Sequence, residues 1–436
     1  LAILVALAAI GIPAAVLTAT CAGRSCDASG DETVRVPFCP LPETVKDGIT
    51  NGFRDGRSPD VLGVADGTLI YTDLEGLRMP WPAAGTLTDT RVPIVFAGAG
   101  VTSGAGVPNR TTLDRVAPTV SEILGFEREH PEVRSGTAVA GIANGEPPSL
   151  VLLVGWKGVG SSELEIHPQD WPFLSSLLDD GAGTLEGDTG SLPIDPAATL
   201  TTVGTGGLPS QHGITGSFIR DGEGEVAEAF RPGLPVEDRQ IIATLADDLD
   251  DANHSTLVGL VATDERDRGI VGGGWYPGED PVDMVIGDSA AAPLAVEVHL
   301  TTGYGADDVP DVIGVVLEGR VRAMDRWTRE IVTEAERATS ESTLVVVTGT
   351  GSGEASRLAV PDGELVEAVE DAVPGDAPAV AATMAGGVFL DQAVVREEQV
   401  TGQVAVDAML SATGPDGERM LADAFQGFAV SFARYC

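Results

Sequence analysis

Unbroken apolar runs of five or six residues punctuate the chain. The clearest are 92–97 (VPIVFA), 150–154 (LVLLV) and 343–347 (TLVVV), and 257–261, 312–317 and 428–432 are similar. Runs of strand length without polar alternation belong to strands covered on both faces. Between them, 236–249, 321–338 and 402–412 read as helices. Strand–helix alternation of this kind predicts an α/β fold with a mostly parallel sheet between helices. The Gly- and Asp-rich stretches 179–190 and 264–281 read as surface loops. No self-similar unit of 20–50 residues recurs. A chain of 436 residues predicts two or three lobes around at least one sizeable core.

The first 19 residues (LAILVALAAIGIPAAVLTA) carry no charge. Such a run meets the roughly 20 residues needed to cross a bilayer and exceeds the ~7–15-residue core of a secretory signal. Residues 1–20 are therefore expected to form a transmembrane helix or signal anchor. A lipoprotein signal ending at Cys21 fits poorly beside Thr18 and Thr20. The expected location is a cell membrane, single-pass, with the lipid bilayer engaged through 1–20 and the large domain extracytoplasmic. Residues 21–50 form a polar, Pro-containing connector, and 51–436 a single ectodomain.

Composition narrows the partners. Hydrophobic residues make up 43% and charged residues 21%, which excludes wholesale disorder. Lys plus Arg number 26 against 66 Asp plus Glu, so the net charge is −40. That excludes nucleic acid held through its phosphates and disfavours adhesion to anionic headgroups. Lys46 and Lys157 are the only lysines. The four cysteines are Cys21, Cys26, Cys39 and Cys436, with no C-x-x-C and no Cys/His zinc spacing. An even number beside an export segment reads as disulfides in an oxidising compartment, with three pairings open.

Residues 193–216 read PIDPAATLTTVGTGGLPSQHGITG. The portion TGGLPSQHGI resembles the T-G-x-x-P-x-x-H-G-I signature of the alkaline phosphatase superfamily. By this pattern it is most similar to the type I phosphodiesterases and nucleotide pyrophosphatases. Residues 311–317, followed by Asp325-Arg326-Trp327, resemble the strand and helix that lead to the family's late metal motif. Residues 341–347 resemble the strand delivering it. GRSPD (56–60), VPIVFAGAG (92–100) and DRVAPTVSEILG (114–125) resemble the family's C-terminal portion. The order is inverted: 51–140 corresponds to the family's C-terminal part and 149–436 to its N-terminal and middle parts. The resemblance thus implies a circularly permuted alkaline-phosphatase-like core. The permutation joint would lie between Cys436 and residues 39–57, which implies a Cys39–Cys436 disulfide and leaves Cys21 to pair with Cys26.

The resemblance also implies a two-metal hydrolase, in which Asp and His side chains hold two cations while a Thr or Ser attacks phosphorus. The matching positions are degenerate. Gly155 stands where the first metal Asp belongs, in Val154-Gly155-Trp156-Lys157-Gly158. The nucleophile position, nine residues before Thr205, is Pro196, flanked by Asp195 and Ala197. Thr350 and Gly351 replace the Asp and His of the late motif, within Gly349-Thr350-Gly351-Ser352. Glu318-Gly319-Arg320-Val321-Arg322 offers no Asp/His pair, and 81–91 offers no final His. His130, His167, His212, His254 and His299 all fall off the ligand positions. The expectation is a chain without catalytic, cofactor-binding or metal residues, and hence without a cofactor. It would act as a binding or accessory subunit of a membrane protein complex.

Two alternatives carry their own tests. An active phosphodiesterase or phosphatase with relocated ligands would bind zinc or manganese. It requires Asp195, Glu318, Asp325 and His212 to converge within about 4 Å of a shared ion. Thr199, Thr201 or Thr202 could then supply a shifted nucleophile, whereas a plain helix start satisfies their hydroxyls locally. His212 otherwise shapes a turn. A non-catalytic small-ligand module would instead keep a cleft at the strand ends. GTGSG at 349–353 reads as a tight turn: Glu354 stands where a dinucleotide fingerprint needs Gly, and no Walker lysine follows. No G-x-S-x-G elbow occurs. ADDLDD at 246–251 lacks the Gly and Glu of a calcium loop and reads as a solvated helix end.

Overall fold

Both faces of the longest apolar strands are covered by helices, and this arrangement organises the molecule. The computed structural model describes residues 36–436 apart from 67–68, 75, 85–88, 236–237, 278–280, 353–358 and 416. The expected transmembrane helix at 1–20 and the Cys21–Cys26 pair lie outside the described residues. Among those described, no helix is long and apolar enough to cross a membrane. Residues Pro37–Cys436 form one compact unit, so the expected connector contributes its part from Pro37 onward to that unit.

In chain order the strands are β1 (Val61–Ala65), β2 (Leu69–Leu74), β3 (Leu77–Pro80), β4 (Arg91–Gly98), β5 (Leu150–Lys157), β6 (Ala182–Asp188), β7 (Phe218–Arg220), β8 (Val226–Glu228), β9 (Val258–Ala262), β10 (Asp283–Ile286), β11 (Asp311–Glu318), β12 (Thr343–Gly349), β13 (Ala359–Pro361), β14 (Val380–Met384), β15 (Gly387–Leu390) and β16 (Leu421–Gln426). The central sheet has the order β10-β9-β11-β5-β12-β4-β6. Its first five strands are parallel, and β4 runs antiparallel to both of its neighbours. Every residue of β5 and β12 is buried. Val151, Leu153, Val316 and Val346 pack on one face beneath helices Val116–Leu124 and Pro196–Thr205. On the other face, Leu152, Val154, Val315 and Val347 pack beneath Pro172–Asp180, Ala292–Thr301 and Val321–Ala338. The expected mixed α/β architecture with a parallel sheet between helices is therefore what forms.

Five local expectations are corrected. Within 179–190, residues 182–188 are the edge strand β6, because backbone pairing with β4 overrides a Gly- and Asp-rich composition. The helix expected over 236–249 runs Leu245–Ala252. Its start is fixed by a capping box: Thr244 Oγ1 accepts from Asp247 N at 3.1 Å, and Asp247 Oδ2 accepts from Thr244 N at 2.7 Å. Asp247, Asp248 and Asp250 are buried, so this is no solvated helix end. The stretch 264–281 includes a 3-10 helix, Glu265–Ile270, whose Arg266, Asp267 and Ile270 are buried rather than on a surface loop. Residues 428–432 belong to a 3-10 helix, Gly427–Tyr435, and the strand is the preceding β16. Val430 points inward while Phe428 and Phe432 point out, a helical spacing that an apolar run conceals.

A second, antiparallel sheet, β14-β15-β1-β16, brings the first strand beside the last. Helices Gly363–Ala372 and Gly402–Ser411 contribute Leu365, Val369, Val406 and Met409 to its core. Helix Glu43–Gly52 packs Val45 and Ile49 against Phe38, Phe425 and Val430. Phe38 meets Phe425 edge to face at 5.2 Å. Next to it, the expected Cys39–Cys436 disulfide joins chain segments 397 residues apart, with the Cα atoms 5.1 Å apart.

Mass mapping of non-reduced peptides is expected to return the Cys39–Cys436 pair. Cys436→Ser should lower unfolding stability by roughly 2–5 kcal/mol, because the crosslink restricts the unfolded chain. The readout is the urea midpoint under oxidising conditions, and an unchanged midpoint would contradict this role.

Candidate functional site

Open α/β sheets bind ligands beyond the carboxyl ends of their parallel strands. Here the ends of β5 and β12 approach helix Pro196–Thr205, with Gly155 beside Leu200 and Thr350 O 3.5 Å from Thr199 Oγ1. The helix start is a firm local signal: an Asp N-cap followed by Pro at the first helical position. Asp195 Oδ1 accepts from Ala197 N at 2.9 Å and from Ser217 Oγ at 3.0 Å, and Oδ2 accepts from Ser217 N at 2.9 Å. Complete burial raises the Asp195 carboxyl above its ordinary pKa, and the Ser217 and Ala197 bonds oppose that rise. Its oxygens are thus committed to the helix start.

Apolar side chains lie against two of the positions that the resemblance marks, Gly155 and Gly351. A side chain at Gly155 would begin 2.7 Å from Leu200 Cδ2, and one at Gly351 would begin 2.7 Å from Ile194 Cγ2. Both Leu200 and Ile194 are buried. Thr350 Oγ1 accepts from Gly158 N at 2.9 Å, and the Thr350 and Gly351 N–H groups donate to Trp156 O at 3.2 Å and Val159 O at 3.0 Å. These bonds tie Thr350 and Gly351 to the end of β5 and the residues just after it, while Gly353, and with it the rest of the tight turn expected at 349–353, lies outside the described residues. Pro196 supplies neither hydroxyl nor N–H.

The alternative residues are engaged elsewhere. Thr199, Thr201 and Thr202 donate to the carbonyls of Asp195, Ala197 and Ala198 at 2.8, 2.7 and 3.0 Å. His212 is fully buried. Its Nδ1 accepts from Ile214 N at 3.2 Å, which leaves Nε2–H to donate to Thr202 Oγ1 at 3.0 Å. Burial, reinforced by the Arg54 charge, lowers its pKa to about 3, so the ring is neutral. Asp325 lies on the opposite side of the sheet and caps helix Pro172–Asp180, accepting from Phe173 N at 3.1 Å and Leu174 N at 2.8 Å. Asp195, Glu318, Asp325 and His212 do not converge. Among the described residues, no group of three or more His, Cys, Asp or Glu side chains is arranged to hold a metal ion. This donor set does not fit the pair of cations that the resemblance implies.

A lysine cluster does assemble there. Lys157, the last residue of β5, places Nζ 3.1 Å from Asp267 Oδ1, 3.4 Å from Asp267 Oδ2 and 3.8 Å from Glu318 Oε2. Thr263 Oγ1 lies 3.3 Å from Asp267 Oδ2 and 3.4 Å from Glu318 Oε2. The side chains of Lys157 and Asp267 are only 7% and 1% exposed. Burial pushes the Asp267 carboxyl up, and Lys157 pulls it back down. The chain thus carries its own cation at the strand ends. One signal of this was visible beforehand: a lysine, one of only two, closing a continuous apolar strand.

No protein-family model matches the chain, and no curated protein matches it. Among solved structures, wild-type alkaline phosphatase PafA is similar with a TM-score of 0.45 and 14% identity, over 64% of this chain and 85% of that one. A multiply substituted PafA gives 0.43 and 13% over the same shares. Ps i-CgsB in complex with k-i-k-neocarrahexaose gives 0.30 and 12%, over 56% of this chain and 64% of that chain. Likenesses this distant assign neither a family nor an activity.

Two outcomes test the site. Lys157→Met leaves the Asp267 carboxylate buried without its cation, and should cost about 3–5 kcal/mol of stability in urea unfolding. A loss below 1 kcal/mol would mean that the pair is not buried as described. The unfolded chain titrates His212 near 6.5 and the folded chain near 3. Between those pH values only the unfolded chain gains a proton at this site. Stability therefore falls as pH drops, by up to roughly 1.4 kcal/mol per unit. Against His212→Gln, the wild type should lose stability more steeply from pH 6 to pH 4. Parallel slopes would contradict the neutral, buried assignment.

Proposed function

We propose that this chain is a circularly permuted, non-catalytic relative of the alkaline phosphatase superfamily. In this reading it is tethered to the outer side of a cell membrane by residues 1–20 and serves as a binding or accessory subunit of a membrane protein complex. The observation that carries the loss of catalysis is steric. Leu200 and Ile194 occupy the space that side chains at Gly155 and Gly351 would need. Pro196, at the nucleophile position, has nothing to attack with. Relocated ligands are disfavoured by the separate engagements of Asp195, Asp325 and His212. The permutation is supported by β1 lying against β16 and by the disulfide at the expected joint. Circular permutation is tolerated where the ends of a domain lie close together.

The full chain, incubated with zinc, manganese and calcium and then desalted, should retain no stoichiometric metal. It should hydrolyse neither bis(p-nitrophenyl) phosphate nor p-nitrophenyl phosphate above the buffer rate. Retention of one or two ions per chain together with hydrolysis would overturn the reading. Purification from native membranes in mild detergent addresses the accessory role: a co-purifying complex is expected, and a lone monomer would count against it.

A further inference from the structure

The 3-10 helix Gly427–Tyr435 is apolar on both sides. Ala429, Val430 and Ala433 pack inward against the cluster built on Phe38 and Phe425. Phe428 and Phe432 face solvent, 59% and 52% exposed, with their rings edge to face at 6.5 Å. A single exposed apolar residue needs no explanation, but two large rings presented together mark a contact surface.

Position on the chain indicates what that surface meets. The compact unit begins at Pro37, two residues before Cys39. The disulfide sets Cys39 and Cys436 5.1 Å apart, and Phe432 stands four residues before Cys436. With the reach of an extended chain and the rise of a 3-10 helix, Phe432 lies within about 20 Å of the point where the preceding chain joins. That preceding chain carries the uncharged 19-residue run.

We infer that Phe428 and Phe432 insert into the interfacial layer of the lipid bilayer, so that this end of the unit lies against the membrane. The inference rests on the membrane-tethered reading above. Aromatic and aliphatic side chains on one side of an interfacial helix enter the boundary between headgroups and acyl chains in this way. The flat contact orients the unit and directs its remaining surface away from the lipid.

The test uses the full chain reconstituted in phosphatidylcholine vesicles, with p-benzoylphenylalanine placed singly at 428, 432 or 294. Leu294, 65% exposed on helix Ala292–Thr301, is the control. Irradiation should give several-fold more lipid adduct from Phe428→p-benzoylphenylalanine and Phe432→p-benzoylphenylalanine than from Leu294→p-benzoylphenylalanine. If the protein floats with the vesicles but the three positions label alike, or 428 and 432 not at all, the inference is overturned and the tether stands. If the protein does not float with the vesicles, the tether fails and the inference falls with it.

Discussion

Helix Pro196–Thr205 is buried along its whole length, and the rest of the molecule is arranged around its close approach to the central strands. Leu200 enters the space left by Gly155 at the end of β5, and Gly204 lies directly on the backbone of Gly269 and Ile270. A helix seated this tightly leaves its polar ends little access to water, so both must be satisfied by protein. At the N-terminus Asp195 accepts from Ala197 and Ser217. At the C-terminus, Thr205 O accepts from Arg128 Nη1 at 2.8 Å and from Arg134 Nε at 3.1 Å. A carboxylate at one end and guanidiniums at the other also complement the helix dipole.

Burying those two arginines creates a second demand. Both reach Asp248 Oδ2, at 2.6 and 3.2 Å, and Tyr276 donates to Asp248 Oδ1 at 2.8 Å. Burial lowers the Arg128 pKa, and the Asp248 charge opposes that shift. Lys157 with Asp267 is the same solution at the strand ends. In each case a buried charge is held by an opposite charge from a distant part of the chain. Removing one partner of such a pair leaves the other charge buried and uncompensated. The region that the family resemblance assigns to chemistry is occupied here by packing and internal ion pairs.

Much of the sheet was legible in the sequence because its strands are buried on both faces. Residues 92–97, 150–154, 258–261, 312–317 and 343–347 lie in central strands, with Leu257 just ahead of β9, and 321–338 is a helix from end to end. β6 was hidden because an edge strand needs little apolar character once its partner supplies the hydrogen bonds. The 3-10 helix after β16 was hidden because an apolar run has no period that separates strand from helix. At the site, only the resemblance marks Gly155, Pro196 and Gly351 as positions where the side chains it implies do not stand. The closure of the space by Leu200 and Ile194, and the pairing of Lys157 with Asp267 across 110 residues, depend on the fold and have no local signature.

The Cys39–Cys436 bond closes all but the first residues of the unit into a covalent ring. A pull on the segment before Cys39 against an attachment at Cys436 runs through sulfur and bypasses the 397-residue circuit between them. The hydrogen-bonded strands then bear none of the load. One cut in a surface loop of that circuit likewise opens the ring without releasing a fragment. The fold is thus mechanically decoupled from tension between its own two ends.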